Sequence, residues 1–289
     1  MDFQERLIHL HHCRGVGWRT MASILDVDPE LTHLYDLTIH DLTLDFNIRP
    51  DRASLLMKDL SSIDIQKKLL EYRQKAICPI VFNDPDYPKL LKEIFDPPWV
   101  LYVKGRVAYL KQTKTLAVVG TRQPSFEGLK CMETLLKPLI SDGWMIISGM
   151  ALGVDGKAHE LALNGSTIAV LGSGLYHPYP LRFRELFDKI VTDHLAISEY
   201  PPDTPPRKWQ FPERNRIISG LSRGVLVVEA KARSGSLITA DQALEQGRDV
   251  FAMPGSILNP NAEGTHWLIK QGAKLAACAE DLFQELSVV

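Results

Sequence analysis

The sequence predicts an α/β protein: a doubly wound, mostly parallel sheet preceded by a small helical region. Three observations predict it. After Thr115 the chain repeats short runs that are apolar throughout, each closed by glycine, proline or a polar cap and followed by helical spacing. Strands apolar on both faces belong to a parallel sheet covered by helices on both sides. Residues 1 to about 75 instead carry apolar residues at helical intervals and few strand signals. Finally, 45% of the 289 residues are hydrophobic and 24% are charged, the balance of a globular chain with a sizeable core. The reading is a helical domain over 1–75, a linker or extension over 76–114, and a Rossmann-like domain over 115–289.

In the first region the helical pattern runs through Leu7, Leu10, Ile24, Leu25, Leu55, Leu56, Leu69 and Leu70. Arg14-Gly15-Val16-Gly17-Trp18 links two of its helices. Such a turn can offer backbone amides to a phosphate, but glycine turns are common between packed helices, and the structural reading is preferred. His9, His12 and Cys13 fall at i, i+3 and i+4 without a fourth metal ligand. Packing or surface roles are the plainer reading, and no metal or other cofactor is expected.

The bridge is rich in proline (Pro79, Pro85, Pro88, Pro97, Pro98) around two strand-like runs, Ile80–Phe82 and Trp99–Val103. The predicted sheet then follows as Leu116–Val119, Met145–Ile147, Ile168–Leu171, Leu195–Ile197, Val225–Val228, Val250–Ala252 and Lys274–Ala277, with a last helix over Glu280–Leu286. Ligands of such sheets sit at the carboxyl ends of the strands, where the glycines and charges fall here.

Composition narrows the classes. No apolar run approaches the roughly 18 residues that span a bilayer. The start, Met1-Asp2-Phe3-Gln4-Glu5-Arg6, lacks the layout of a secretion signal. The four cysteines lie far apart with no CxxC spacing, so a reduced, cytoplasmic protein is expected. The net charge of −2 argues mildly against nucleic acid. Its distribution argues the other way: between Arg207 and Gly235 seven basic residues face only Glu213 and Glu229.

The strand ends carry the chemistry. The first ends in Gly120-Thr121-Arg122, pairing a close-approach glycine with a fixed cation before a helix N-terminus. The second ends in a Gly-x3-Gly-x2-Gly run, Gly149 to Gly156, which is not the dinucleotide fingerprint. There Asp155 and His159 lie four apart and can pair; a cap with a local hydrogen bond is favoured over an acid/base pair. The third ends in Gly172-Ser173-Gly174, again a weak dinucleotide signature, before a basic helix through Arg182 and Arg184. After the fourth, Trp209 and Phe211 interleave with Arg214, Asn215 and Arg216, beside a helix expected to begin near Glu213. Cations for phosphates and flat faces for bases are what single strands need. After the fifth, Lys231 and Arg233 precede Ser234-Gly235-Ser236 and Thr239, a phosphate cradle at a helix start.

Together these segments closely resemble the DNA-processing protein A family, also called DprA or Smf. The resemblance rests on Val119–Arg122, Ser148–Asp155, Phe211–Leu221, Val228–Ala230, Ser234–Ala240 and Gly247–Gly255, in that order. It implies a single-stranded DNA-binding protein without catalytic activity, a homodimer that helps load the recombinase RecA during natural transformation, and an N-terminal SAM-like domain. Carried over residue by residue, the DNA pocket would include Arg122, Phe211, Arg214, Asn215, Arg216 and Ser234–Ser236. The strand-end reading adds Gly120, Thr121, Lys231 and Thr239. Two departures stand out. Leu181 follows the Tyr-Pro pair where some members have lysine, and the winged-helix module that some members add is expected to be absent after Val289. A self-association face is expected around Leu244, Met253 and Ile257. The pocket is expected to hold a few nucleotides, with any longer path needing a second subunit.

The alternative is a nucleotide-binding enzyme of the same fold group, such as a nucleoside-monophosphate hydrolase. Glu199, Glu229 and Asp155 are its candidate acids. The chain lacks the Pro-Gly-Gly-x-Gly-Thr run of such enzymes, Met253-Pro254-Gly255-Ser256 being the nearest stretch.

Overall fold

The computed structural model describes residues 1–286 and divides into two compact units. The first comprises Met1–Pro85 and Pro98–Tyr102; the second comprises Asp86–Pro97 and the chain from Val103. The proline-rich bridge is thus shared between them.

Five helices build most of the first unit: α1 (Phe3–His12), α2 (Trp18–Val27), α3 (Ile39–Leu44), α4 (Pro50–Ser62) and α5 (Ile65–Gln74), followed by β1 (Ile77–Val81). Asp2, Thr38 and Asp64 accept backbone amides at the starts of α1, α3 and α5. Leu7, Leu10, Met21, Ile24, Leu56 and Leu69 are buried, whereas Leu55 and Leu70 are exposed. A helix turns about 100° per residue, so one face buries only one of two adjacent leucines. Gly15 joins α1 to α2 with φ +81°. Beside it, the Arg14 guanidinium and backbone amide donate to Asp59 at 2.7–2.9 Å. The Arg14 hydrogen bonds, foremost, hold the Asp59 carboxyl below its usual range. The proposed metal trio is engaged elsewhere: His9 with the Tyr35 hydroxyl, His12 with the Tyr72 hydroxyl, and the Cys13 thiol on the His9 carbonyl.

In the second unit α6 (Lys89–Lys92) comes first, and β2 (Val100–Gly105) crosses the boundary between the units. The alternation then runs β3 (Thr115–Val119), α7 (Phe126–Ser141), β4 (Met145–Ser148), α8 (Val154–Ala162), β5 (Thr167–Leu171), α9 (Arg184–Asp193), β6 (Leu195–Ser198), α10 (Gln210–Gly220), β7 (Gly224–Val227), α11 (Gly235–Glu245), β8 (Asp249–Ala252), α12 (Glu263–Lys270), β9 (Lys274–Leu275) and α13 (Ala279–Leu286). The strands lie in the order β6-β5-β4-β3-β7-β8-β9, parallel throughout. Ala117 of β3 sits in register between Ile147 of β4 and Val225 of β7. This is the doubly wound order, winding outward from β3 in both directions, and its switch point lies between β3 and β7.

Alternate strand residues face opposite layers. Leu116, Val118, Ile146, Leu226 and Phe251 pack with Met132, Leu136 and Leu139 of α7, Val154 and Ala158 of α8, and Leu282 of α13. Helices α10 and α11 pack against each other and on β5, β7 and β8. Residues Leu91 and Ile94 close on Gly220, where a Cβ would come within 2.8 Å of Leu91. Met253 belongs to this core, which removes it from the expected self-association face; Leu244 and Ile257 are exposed. Among the described residues no helix is long and apolar enough to cross a membrane, and all four cysteines are free.

Candidate nucleic-acid interface

A cavity of about 740 Å³ opens at the carboxyl ends of β3 and β7, at the switch point. Three segments supply most of its lining, and Ala151 and Asp155, between β4 and the first turn of α8, add to it. Gly120, Thr121, Arg122 and Gln123 leave β3; Lys208 lies just before α10, and Phe211, Arg214, Asn215 and Ile218 lie along one face of it; Lys231, Arg233, Ser234–Ser236 and Thr239 run from β7 into α11. Eleven of the twelve residues that the sequence singles out therefore meet here, and Arg216 does not. Arg233, which the sequence places beside the serine cradle, also lines the cavity, as do Tyr179 and Lys208, which the sequence does not mark as site residues. Lys208 could have been found, because it lies in the basic stretch one turn before Phe211.

The α11 end of the site is built from its cap. Ser234 has extended backbone, its hydroxyl accepts from the Ser236 amide at 3.3 Å, and the two hydroxyls lie 2.7 Å apart. Asn215 reaches across from α10 to donate to the Gly235 carbonyl at 3.3 Å. A Cβ on Gly235 would meet nothing within 4 Å, and its φ is not left-handed. The fold does not require glycine there, whereas a ligand approaching the first amides of α11 would.

The β3 end is fixed by Glu229. Its backbone carbonyl accepts from the Thr121 amide at 2.7 Å. Its carboxylate accepts from the Ser125 amide and hydroxyl at 2.8 and 2.6 Å and from Asn259 at 2.8 Å. A Cβ on Gly128 would fall 2.6 Å from that carboxylate, so glycine at this position lets α7 close onto it. The loop carrying Arg122 is held in place, while the Arg122 side chain stays exposed.

Asp155 is the one acidic residue among those that line the cavity, and the exposed charges there are all basic. Arg122, Lys208, Lys231 and Arg233 are exposed and have no hydrogen-bond or ion-pair partner among the described residues. Arg214 is different: only 4% exposed, it donates to the carbonyls of Gly149 and Val170 and ties together the ends of β4 and β5. Burial lowers its guanidinium to about 10. Asp155 accepts from the amides of Gly149 and Ala151 at 3.2 and 3.4 Å. Burial raises its carboxyl, and Arg214 acts against that. Asp155 does not pair with His159, whose Nδ1 lies 2.7 Å from the Thr167 hydroxyl; burial depresses this imidazole to about 3. Both side chains serve the fold through different partners.

Arg216 is the predicted site residue that the structure takes away from the cavity. Its guanidinium meets both oxygens of Glu199 at 2.7 and 2.8 Å and Asp96 at 2.9 Å. Burial would lower it, but Glu199 and Asp96 outweigh burial and hold it above the ordinary arginine range. The reason is helical period. Phe211, Arg214, Asn215 and Ile218 share one face of α10, and Arg216 lies about 200° from Arg214. The helix also begins at Gln210 rather than near Glu213, with Pro212 in the first turn, where no amide partner is lost.

Residues 79–287 match the family described as DNA recombination-mediator protein A. The chain belongs to that family. The DNA processing protein DprA of Bacillus subtilis (strain 168) is 47% identical over 224 residues, covering 77% of this chain and 75% of that protein. The X-ray structure of DNA processing protein A from Streptococcus pneumoniae superposes with a TM-score of 0.86 at 40% identity, covering 99% of both chains. A second solved member, DNA processing protein A from Helicobacter pylori, described for its single-stranded DNA binding mode, gives a TM-score of 0.67 at 30% identity over 73% of this chain and 95% of that one. The family match begins at residue 79, yet the Streptococcus structure covers almost the whole chain, so the helical region also has a solved counterpart.

Proposed function

We propose that this chain is a cytoplasmic single-stranded DNA-binding protein that works as a homodimer and helps load RecA recombinase during natural transformation. The observation that carries the DNA-binding part is the ring of four exposed, unpartnered cations around a cavity at the N-terminus of α11. Arg122 and Lys208 would take phosphates on one side, and Lys231, Arg233 and the Ser234–Ser236 amides on the other. Phe211, only half-buried and 5.6 Å from the Tyr179 ring, offers a base a flat face. The DNA processing protein A of Helicobacter pylori, described for its single-stranded DNA binding mode, supports the same ligand.

The hydrolase reading needs a free acid beside the ligand, and each candidate is occupied. Glu199 grips Arg216, Glu229 holds Ser125 and Asn259, and Asp155 caps backbone amides. Turnover of nucleoside monophosphates that disappears in Glu229→Gln would overturn the binding-protein reading.

The direct test is anisotropy with an unstructured labelled oligonucleotide, single- against double-stranded, across a salt series. Arg122→Ala should weaken binding and flatten the log–log salt slope by about 0.7, the value of one phosphate contact on a single strand. An unchanged slope and affinity would remove the cavity as the site. Light scattering on the same samples reads the dimer, and a RecA filament-assembly assay on coated single strands reads the loading.

A further inference from the structure

The cavity accounts for Lys208 and Phe211 but not for the aromatic residue between them. Trp209 is 52% exposed and lines no part of the cavity. It is also held in place. The Gln210 amide donates to the Arg207 carbonyl at 3.1 Å, closing a turn whose central residues are Lys208 and Trp209. The Gln210 side chain is fully buried, and its oxygen accepts from the Arg207 amide, locking the same turn from inside. Trp209 has φ −71° and ψ −24°, already helical, and caps α10. Its ring meets Tyr200 edge-on, with centroids 6.0 Å apart and planes at 83°. Tyr200 is pinned in turn by its hydroxyl on Glu213 at 3.1 Å. One rigid turn therefore presents an exposed indole next to Lys208, which lines the cavity, and the exposed Arg207 immediately precedes that lysine.

An indole packed against Tyr200 and open to solvent, directly after two exposed cations, matches an anionic strand with flat bases better than it matches an apolar protein surface. We propose that Trp209 is a second stacking platform, on the rim of the cavity, over which a single strand held inside continues across Lys208 and Arg207. This rests on the reading of the cavity as a single-stranded DNA site. It also gives one subunit a path longer than the cavity, where the sequence alone pointed to a second subunit.

The test uses the full chain, with oligothymidylates of increasing length from a trinucleotide upward, read by anisotropy and tryptophan fluorescence. Trp209→Ala should leave the shortest oligomer bound as in the wild type and weaken longer ones by about 5- to 150-fold, the range for losing one base–aromatic stack. Trp209→Phe should restore most of that affinity, while the fluorescence quenching seen on binding to the wild type should largely disappear. Arg122→Ala should weaken every length. Should Trp209→Ala and Trp209→Phe match the wild type at all lengths while Arg122→Ala weakens binding, the platform is wrong and the cavity stands. Should Arg122→Ala also bind normally, both fall. A change of mass by light scattering in Trp209→Ala, with DNA binding intact, would make the indole a contact between copies and overturn the proposal.

Discussion

Replacing Arg216 by alanine separates two roles that a row of basic residues leaves merged. In the folded chain its side chain is 10% exposed and holds Glu199, itself 14% exposed, through two hydrogen bonds, with Asp96 on a third. Truncation strands the Glu199 carboxylate in a nearly dry site, and breaking a buried pair from one side costs about 3–5 kcal/mol. Asp96 is 40% exposed and stays hydrated, so the loss belongs at the low end, about 3 kcal/mol. At roughly 2–4 °C per kcal/mol for a domain of 150–250 residues, Tm should fall by about 6–12 °C. Urea unfolding followed through the buried Trp144 gives the midpoint. Binding, measured where the variant is fully folded, should keep the wild-type salt slope, because Arg216 lies off the cavity face of α10. A variant with the wild-type midpoint and a flattened slope would refute the reasoning and return Arg216 to the DNA.

Three further outcomes are expected. Gly235→Ala should fold with an unchanged Tm, since a Cβ there meets nothing within 4 Å, yet bind single strands more weakly by blocking approach to the α11 amides; equal affinity would show that no ligand comes that close. Lys208→Ala should lower the salt slope by about 0.7, with Lys208→Arg keeping it, both read by the same anisotropy series. Stability should fall as pH drops below about 6.5, because the unfolded chain protonates His159 while the buried imidazole resists until about 3. Above that window the histidine contributes no pH dependence. His159→Gln should reduce the slope of urea midpoint against pH between those values, and an identical slope would assign the acid sensitivity to other groups.

Much of the site is legible in the residues alone. The runs around Leu116–Val119, Met145–Ile147 and Val225–Val228 become β3, β4 and β7 with boundaries shifted by about one residue. They are legible because a strand buried on both faces writes that burial into consecutive residues. Glycine, serine and cation clusters then mark the strand ends. The direction in which side chains point is less legible. Along α10 the sequence reads the arginines as cations for phosphates and the aromatics as flat faces for bases. The structure has Arg214 and Arg216 buried and Trp209 half in water. Arg214 finds two strand-end carbonyls and Arg216 finds two carboxylates, and those partners lie between 17 and 120 residues away in sequence. No local pattern announces them, although the helical period from Phe211 to Ile218 already sets Arg216 apart.

The sequence by itself determined the alternation of strand and helix, the helical first region, and which loops carry the clustered glycines, serines and cations. These follow from local periodicity, from capping and from the close approach that glycine permits. Only the tertiary structure decided the strand order, which brings the ends of β3 and β7 together across more than 100 residues of chain. It also decided which cations stay free and which are spent on the fold. Both depend on pairing between distant segments, where burial forces each polar group to find its partner wherever the packing puts it.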